Sequence, residues 1–224
     1  MMCMTRRRLR LLVACVLLAG GVGASVAAGT AQAAACGPAV PAGTACTLPA
    51  TLTLISGSMT LTSMASLEWS STVNGLDQNL FDRTAADETY LVNDSTGGGP
   101  GWHVITSATT FTSGANVLAN AGTFSTNGSL TSMIATVGPS ATCLAGSTCV
   151  LPINQTVYPV AITTAATAPV AVDIYNSAAG AGLGSVVIGG STAPHPVGWW
   201  LNVPSDALAG TYTSTVTMEI IAGP

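Results

Sequence analysis

The chain has 224 residues, of which 48% are hydrophobic and only 6% charged, and its formal net charge is −4. Four of the five basic residues, Arg6, Arg7, Arg8 and Arg10, fall in the first ten positions, so the rest of the chain sets Arg83 alone against nine acids and contains no lysine. Such a body cannot neutralise phosphates, which excludes nucleic-acid binding and polybasic membrane binding, and its apolar content excludes a disordered chain.

The first element in chain order is an export signal over residues 1–33. A basic stretch from Met1 to Arg10 is followed from Leu11 by an apolar run that ends in Ala31-Gln32-Ala33, the small-x-small pattern of a signal-peptidase site. Cleavage after Ala33 would leave residues 34–224 without a membrane anchor. The adjacent arginines leave general and twin-arginine export both open. Removing Cys3 and Cys15 reduces six cysteines to four. In an oxidising compartment these are expected to be disulfides, Cys36 with Cys46 and Cys143 with Cys149, because each pair closes a short, glycine-bearing loop. A zinc site would need closer Cys-x-x-Cys spacing or a histidine nearby. Residues 34–49, with Pro38, Pro41 and Pro49, read as an irregular lead-in.

From residue 50 the apolar period is two. Runs over 50–55, 89–92, 103–106, 129–135, 156–162, 170–174 and 212–221 alternate and are bounded by Gly, Pro, Asn, Asp or Ser. Without a convincing helical period, they predict one all-β domain over 50–224, an antiparallel β-sandwich or barrel-like fold.

Catalytic signals are sparse. His103 falls inside a strand pattern and His195 lies between two prolines. No Gly-x-Ser-x-Gly elbow occurs, and no cysteine is left unpaired to act as a nucleophile. Asp77, Asp82, Asp87, Glu88 and Asp94 could serve as paired carboxylates or as calcium ligands, but their spacing matches no EF-hand loop and they read as solvated loop acids. No enzymatic activity, metal or cofactor is expected.

Two segments are more specific. Tyr90-Leu91-Val92-Asn93-Asp94 runs through Ser95-Thr96-Gly97-Gly98-Gly99-Pro100-Gly101 into Trp102-His103-Val104, which reads as a hairpin with an aromatic at its mouth. Near the other end, Trp199-Trp200-Leu201 leads through Ala209-Gly210-Thr211-Tyr212 to Met218-Glu219-Ile220 and Pro224. Together they resemble the WxL family, surface domains of Gram-positive bacteria that adhere noncovalently to the cell wall. The resemblance covers residues 50–224, with its motifs in roughly 90–112 and 196–224. Tyr90 and Asp94 match the family's first element, Gly101, Trp102 and Val104 its second, and Ala209, Gly210, Tyr212 and Pro224 its last. Thr96 stands where the family usually has an arginine, and Met218-Glu219-Ile220 fills the terminal Trp-x-Leu slot, so the chain is similar to a divergent member.

The resemblance implies a secreted, non-enzymatic protein of the cell wall or cell surface that binds peptidoglycan or an associated wall polymer, with other surface proteins as further partners. The wall-binding candidates it supplies are Tyr90, Asp94, Gly101, Trp102, Val104, Tyr212, Met218 and Ile220. Alternation adds Trp199 and Trp200, since neighbours in a regular strand face opposite sides and one of the pair would then be exposed to stack on sugar. For all these tryptophans a place in the core is the competing reading. Tyr212 also reads as a corner residue whose hydroxyl ties down the preceding loop. The alternative to wall binding is a pilin-like or adhesin subunit that assembles by strand exchange.

Overall fold

A computed structural model describes residues 34–35, 42, 46–118 and 122–223. The chain divides into two compact units between Leu52 and Thr53. In the first unit, β1 (Ala34–Ala35) pairs in parallel with β2 (Cys46–Thr47). The expected Cys36–Cys46 disulfide involves Cys36, which lies outside the described residues, as does the proposed cleavage site.

The second unit is all-β. Its strands are β3 (Met59–Thr62), β4 (Gln78–Phe81), β5 (Thr89–Asp94), β6 (Trp102–Ala108), β7 (Thr112–Ser113), β8 (Asn116–Val117), β9 (Phe124–Asn127), β10 (Ala141–Cys143), β11 (Val160–Ile162), β12 (Val172–Ser177), β13 (Gly184–Gly189), β14 (Gly198–Val203) and β15 (Val216–Ala222). A single 3-10 turn at Ala85–Glu88 is the only helical element among the described residues. The main sheets run β10-β13-β5-β3, β11-β9-β14-β4 and β12-β6-β15, all antiparallel, and they stack as a sandwich rather than closing into a barrel.

Alternation within the strands builds the core. In β5 the buried residues are Tyr90, Val92 and Asp94, and in β6 they are Trp102, Val104, Thr106 and Ala108. Tyr90, Val92, Trp102, Val104 and Ala108 join Val186 and Ile188 of β13, Ile174 of β12, Phe124 of β9, and Trp199 and Leu201 of β14 in one apolar cluster that draws on all three sheets. Phe124 stacks on Trp199 and is met edge-on by Trp69 and Phe111. Burial of such rings stabilises the fold at roughly 25 cal/mol per Å² of apolar surface removed from water. Cys143 and Cys149 are disulfide-bonded as expected.

Three expectations change. The segment from Tyr90 to Val104 is not a hairpin. β5 pairs with β3 and β13, whereas β6 pairs with β12 and β15, so the glycine-rich turn carries the chain from one sheet to another. The reason is the large apolar face on each strand, which is buried by stacking sheets. The turn is held from outside, because Gly99 accepts a hydrogen bond from Gly180 N–H at 2.9 Å. Gly101, at φ +78°, lies so close to the carbonyl of Ser177 that a side chain could not fit.

The run at 129–135 is a turn rather than a strand. Asn127 Nδ2 donates to the carbonyls of both Ser132 and Met133 at 2.9 Å, taking acceptors that a sheet would otherwise use. The run at 50–55 lies in no strand, and its Leu52, Leu54 and Ile55 are 81%, 84% and 90% exposed.

Trp102 is held in the core on several sides. It is fully buried, its indole N–H donates to the Gly182 carbonyl at 3.0 Å, and Tyr175 stacks on it. Gly182 sits against the ring at φ +68°, where a Cβ would collide with the indole. Trp102→Ala is expected to lower stability by about 3–5 kcal/mol through the cavity and the orphaned carbonyl, measured by denaturant unfolding. A loss below about 1 kcal/mol would show that the ring does not plug the core.

Candidate functional site

Most of the candidates drawn from the sequence point inward. Tyr90, Trp102 and Val104 are buried core residues, and Gly101 is buried at the start of β6. Asp94 is buried too, with Oδ1 accepting from both the backbone N–H (3.0 Å) and the hydroxyl (2.6 Å) of Thr96. The residue standing in the arginine position thus closes a local turn over Asp94. Met218 and Ile220 are half-buried and pack against the core cluster.

Trp199 and Trp200 do face opposite sides of β14, yet both are buried, at 1% and 3% exposure. Trp199 enters the central cluster and donates to the Asp87 carbonyl at 3.2 Å. Trp200, on the other face, packs against Phe81 and donates to the Ser129 carbonyl at 2.9 Å, so the loop after β9 covers it. Neither ring is available to stack on a sugar in this conformation.

The two segments that carry the WxL resemblance nonetheless meet. β6 and β15 are antiparallel neighbours, with Val104 opposite Ile220, Thr106 opposite Met218 and Trp102 opposite Ala222. Since Trp102, Val104, Thr106, Met218 and Ile220 are on the core side, the residues between them face out. Cross-strand partners share a face, which places His103 beside Ile221 and Asn176, Ile105 beside Glu219 and Asp173, and Ser107 beside Thr217. Asn176 Nδ2 donates to Asp173 Oδ2 at 3.0 Å, which fixes both side chains at the edge of the face. The outer face of β12-β6-β15 therefore presents an imidazole, an amide, two carboxylates, two hydroxyls and two isoleucines on a rigid sheet. The missed residues lie one position along from the expected ones, and the same period-two pattern could have identified them.

Tyr212 occupies a different place. It is half-buried, and its hydroxyl donates to the Leu208 carbonyl at 3.0 Å, the corner geometry expected. It lines an open groove of about 1260 Å³ between the segment after β3 and the loop before β15. Leu80, Val203 and Met218 contribute to its apolar lining, serines and threonines are spread along it, and Glu68 is the one lining residue with a charged side chain.

The acids singled out in the sequence serve turns. Asp77 accepts from Ser205 N–H at 2.7 Å, and Asp82 accepts from Glu68 N–H at 2.7 Å and Thr84 N–H at 2.8 Å. No cluster of three or more His, Cys, Asp or Glu suited to a metal occurs among the described residues. Asp87 is 4% exposed, and its Oδ2 has no hydrogen-bond partner among the described residues. Burial, reinforced by the Asp82 carboxylate, pushes its pKa up from 3.8 to about 6. Burial raises Glu88 as well, again with help from Asp82. Comparison with protein-family models, curated proteins and solved structures finds no match for this chain.

Between its unfolded value of 3.8 and its folded value of about 6, Asp87 binds more proton in the native state, so its contribution to stability grows as pH falls through that window and is lost above it. Thermal unfolding should accordingly show a higher Tm near pH 5 than near pH 7, with Asp87→Asn flattening that slope and raising Tm at pH 7. Parallel pH profiles for the two proteins would contradict the assignment.

Proposed function

We propose that this is an exported, non-enzymatic surface protein that binds bacterial peptidoglycan noncovalently through the outer face of β12-β6-β15. The observation that carries the reading is the pairing of β6 with β15. The two segments that resemble the wall-binding family, far apart in sequence, are here one antiparallel ribbon. Its solvent face has the chemistry that an uncharged glycan with peptide stems calls for, since hydroxyls, amides and carboxylates meet sugar hydroxyls and peptide N–H groups while Ile105 and Ile221 meet apolar ring faces. Each contact is weak. A polymer wall presents the same ligand many times over, and rebinding converts weak contacts into retention.

The protein should sediment with purified sacculi, come off in denaturant without muramidase treatment, and release no sugar or peptide from the wall. Glu219→Lys combined with Ile221→Ala alters two exposed side chains of the face and should weaken sacculus binding about tenfold, roughly 1.4 kcal/mol, with Tm nearly unchanged. Wild-type affinity in the folded double variant would move the binding site off this face, and failure of the wild-type protein to sediment would reject wall binding.

A further inference from the structure

Residues 48–56 form a continuous stretch outside any strand, and every one of them is exposed. Ala50, Leu52 and Leu54 alternate with Thr51 and Thr53, Ile55 follows, and no charged residue occurs from Thr47 to Met64. An alternating apolar segment with no backbone hydrogen bond to another described residue, no charge and no proline after Pro49 is the pattern that adds to a sheet edge. Left in water, leucines and an isoleucine more than four-fifths exposed form an apolar strip of the kind that marks a contact surface.

The groove beside Tyr212 is suited to receive such a strip. β4 and β15 both contribute to its lining, and among the described residues each is the last strand of its sheet, hydrogen-bonded to β14 and β6 respectively. The lining leaves Leu76 68% and Leu208 62% exposed, which suits an apolar occupant better than a sugar. Its only charged side chain, Glu68, opposes no charge in the segment. Seven extended residues span roughly 23 Å at about 3.3 Å each, enough to pair along a strand of ordinary length. In its own chain the segment is exposed rather than seated, while a second copy carries both an open groove and a free segment.

We propose that residues 50–56 of one copy add as a strand in the groove between β4 and β15 of a second copy. Leu52 and Leu54 enter the apolar lining and the segment's backbone pairs with an open edge. Donor and acceptor are different surfaces of the same molecule, so the contact is heterologous and repeats head to tail, giving chains rather than closed dimers. The assembly is separate from wall binding, which uses the opposite face of β15, and it can be tested with no wall material present.

The protein, as processed and released by the expressing cell, is examined by analytical ultracentrifugation over a dilution series. Wild type should form multimers that dissociate on dilution. A donor variant, Leu52→Asp with Leu54→Asp, and an acceptor variant, Leu76→Asp with Leu208→Asp, should each be monomeric with wild-type Tm, since all four residues are largely exposed. Mixing the two variants should restore a one-to-one dimer, because the intact groove of the first meets the intact segment of the second. Amide hydrogen exchange on the wild-type protein needs no substitution, and residues 50–56 should be protected at high concentration and exchange freely when dilute. A wild-type protein that stays monomeric throughout, variants that assemble as wild type does, a mixture that remains monomeric, or protection of 50–56 that is independent of concentration would each overturn the proposal.

Discussion

Four indole N–H groups set the arrangement of the second unit. Trp102 donates to Gly182, Trp199 to Asp87, Trp200 to Ser129 and Trp69 to Trp199, each to a main-chain carbonyl distant in sequence. A buried N–H left without an acceptor costs about 1–3 kcal/mol, so a ring of this kind is satisfied only when a particular loop or strand lies across it. The carbonyls come from the turn before β13, the 3-10 turn, the loop after β9 and β14 itself. Beyond residue 10 the chain has no lysine and one arginine, Arg83, so few ion pairs can specify how its sheets meet. The tryptophans take over that role, and the serines and threonines supply polarity without charge.

The same rings explain why the exposed surface is found elsewhere. Once Trp102 and Val104 fix the inner face of β6, and Met218 and Ile220 that of β15, the pleat sends His103, Ile105, Glu219 and Ile221 outward. The residues most conspicuous in the sequence determine which neighbours present a surface, and the neighbours do the presenting. A buried Asp87 fits this division of labour, since it belongs to the 3-10 turn and its own main-chain carbonyl holds Trp199.

Much of this was legible in the sequence wherever a rule depends on one strand alone. Alternation identified β5, β6 and β15, the short spacing of Cys143 and Cys149 identified their bond, and the Gly210-Thr211-Tyr212 pattern identified the corner at Leu208. Period two gives the face of a strand and is silent about its partner. Ala50–Ile55 therefore looks as regular as Thr89–Val92 yet pairs with no strand among the described residues, and the step from Asp94 to Trp102 looks like a hairpin although it changes sheets. Trp199 and Trp200 were placed correctly on opposite faces, but the cover over Trp200 comes from Ser129, some seventy residues away, through a turn built by the side chain of Asn127. The groove was not legible, because it arises from edges of two different sheets and from Trp69, which no motif singled out.

The register of β15 against β6 has a kinetic consequence. Trp102 lies opposite Ala222, so the strand that pairs with β6 at this fully buried ring is made more than a hundred residues after it. Loop closure over such a separation is slow, and topologies dominated by distant pairing fold in milliseconds to seconds rather than microseconds. A chain emerging amino-terminus first must hold Tyr90, Val92, Trp102 and Val104 without their final cover until residues 216–222 arrive. The burial of the first-made strands is therefore settled late, by the last strand of the chain.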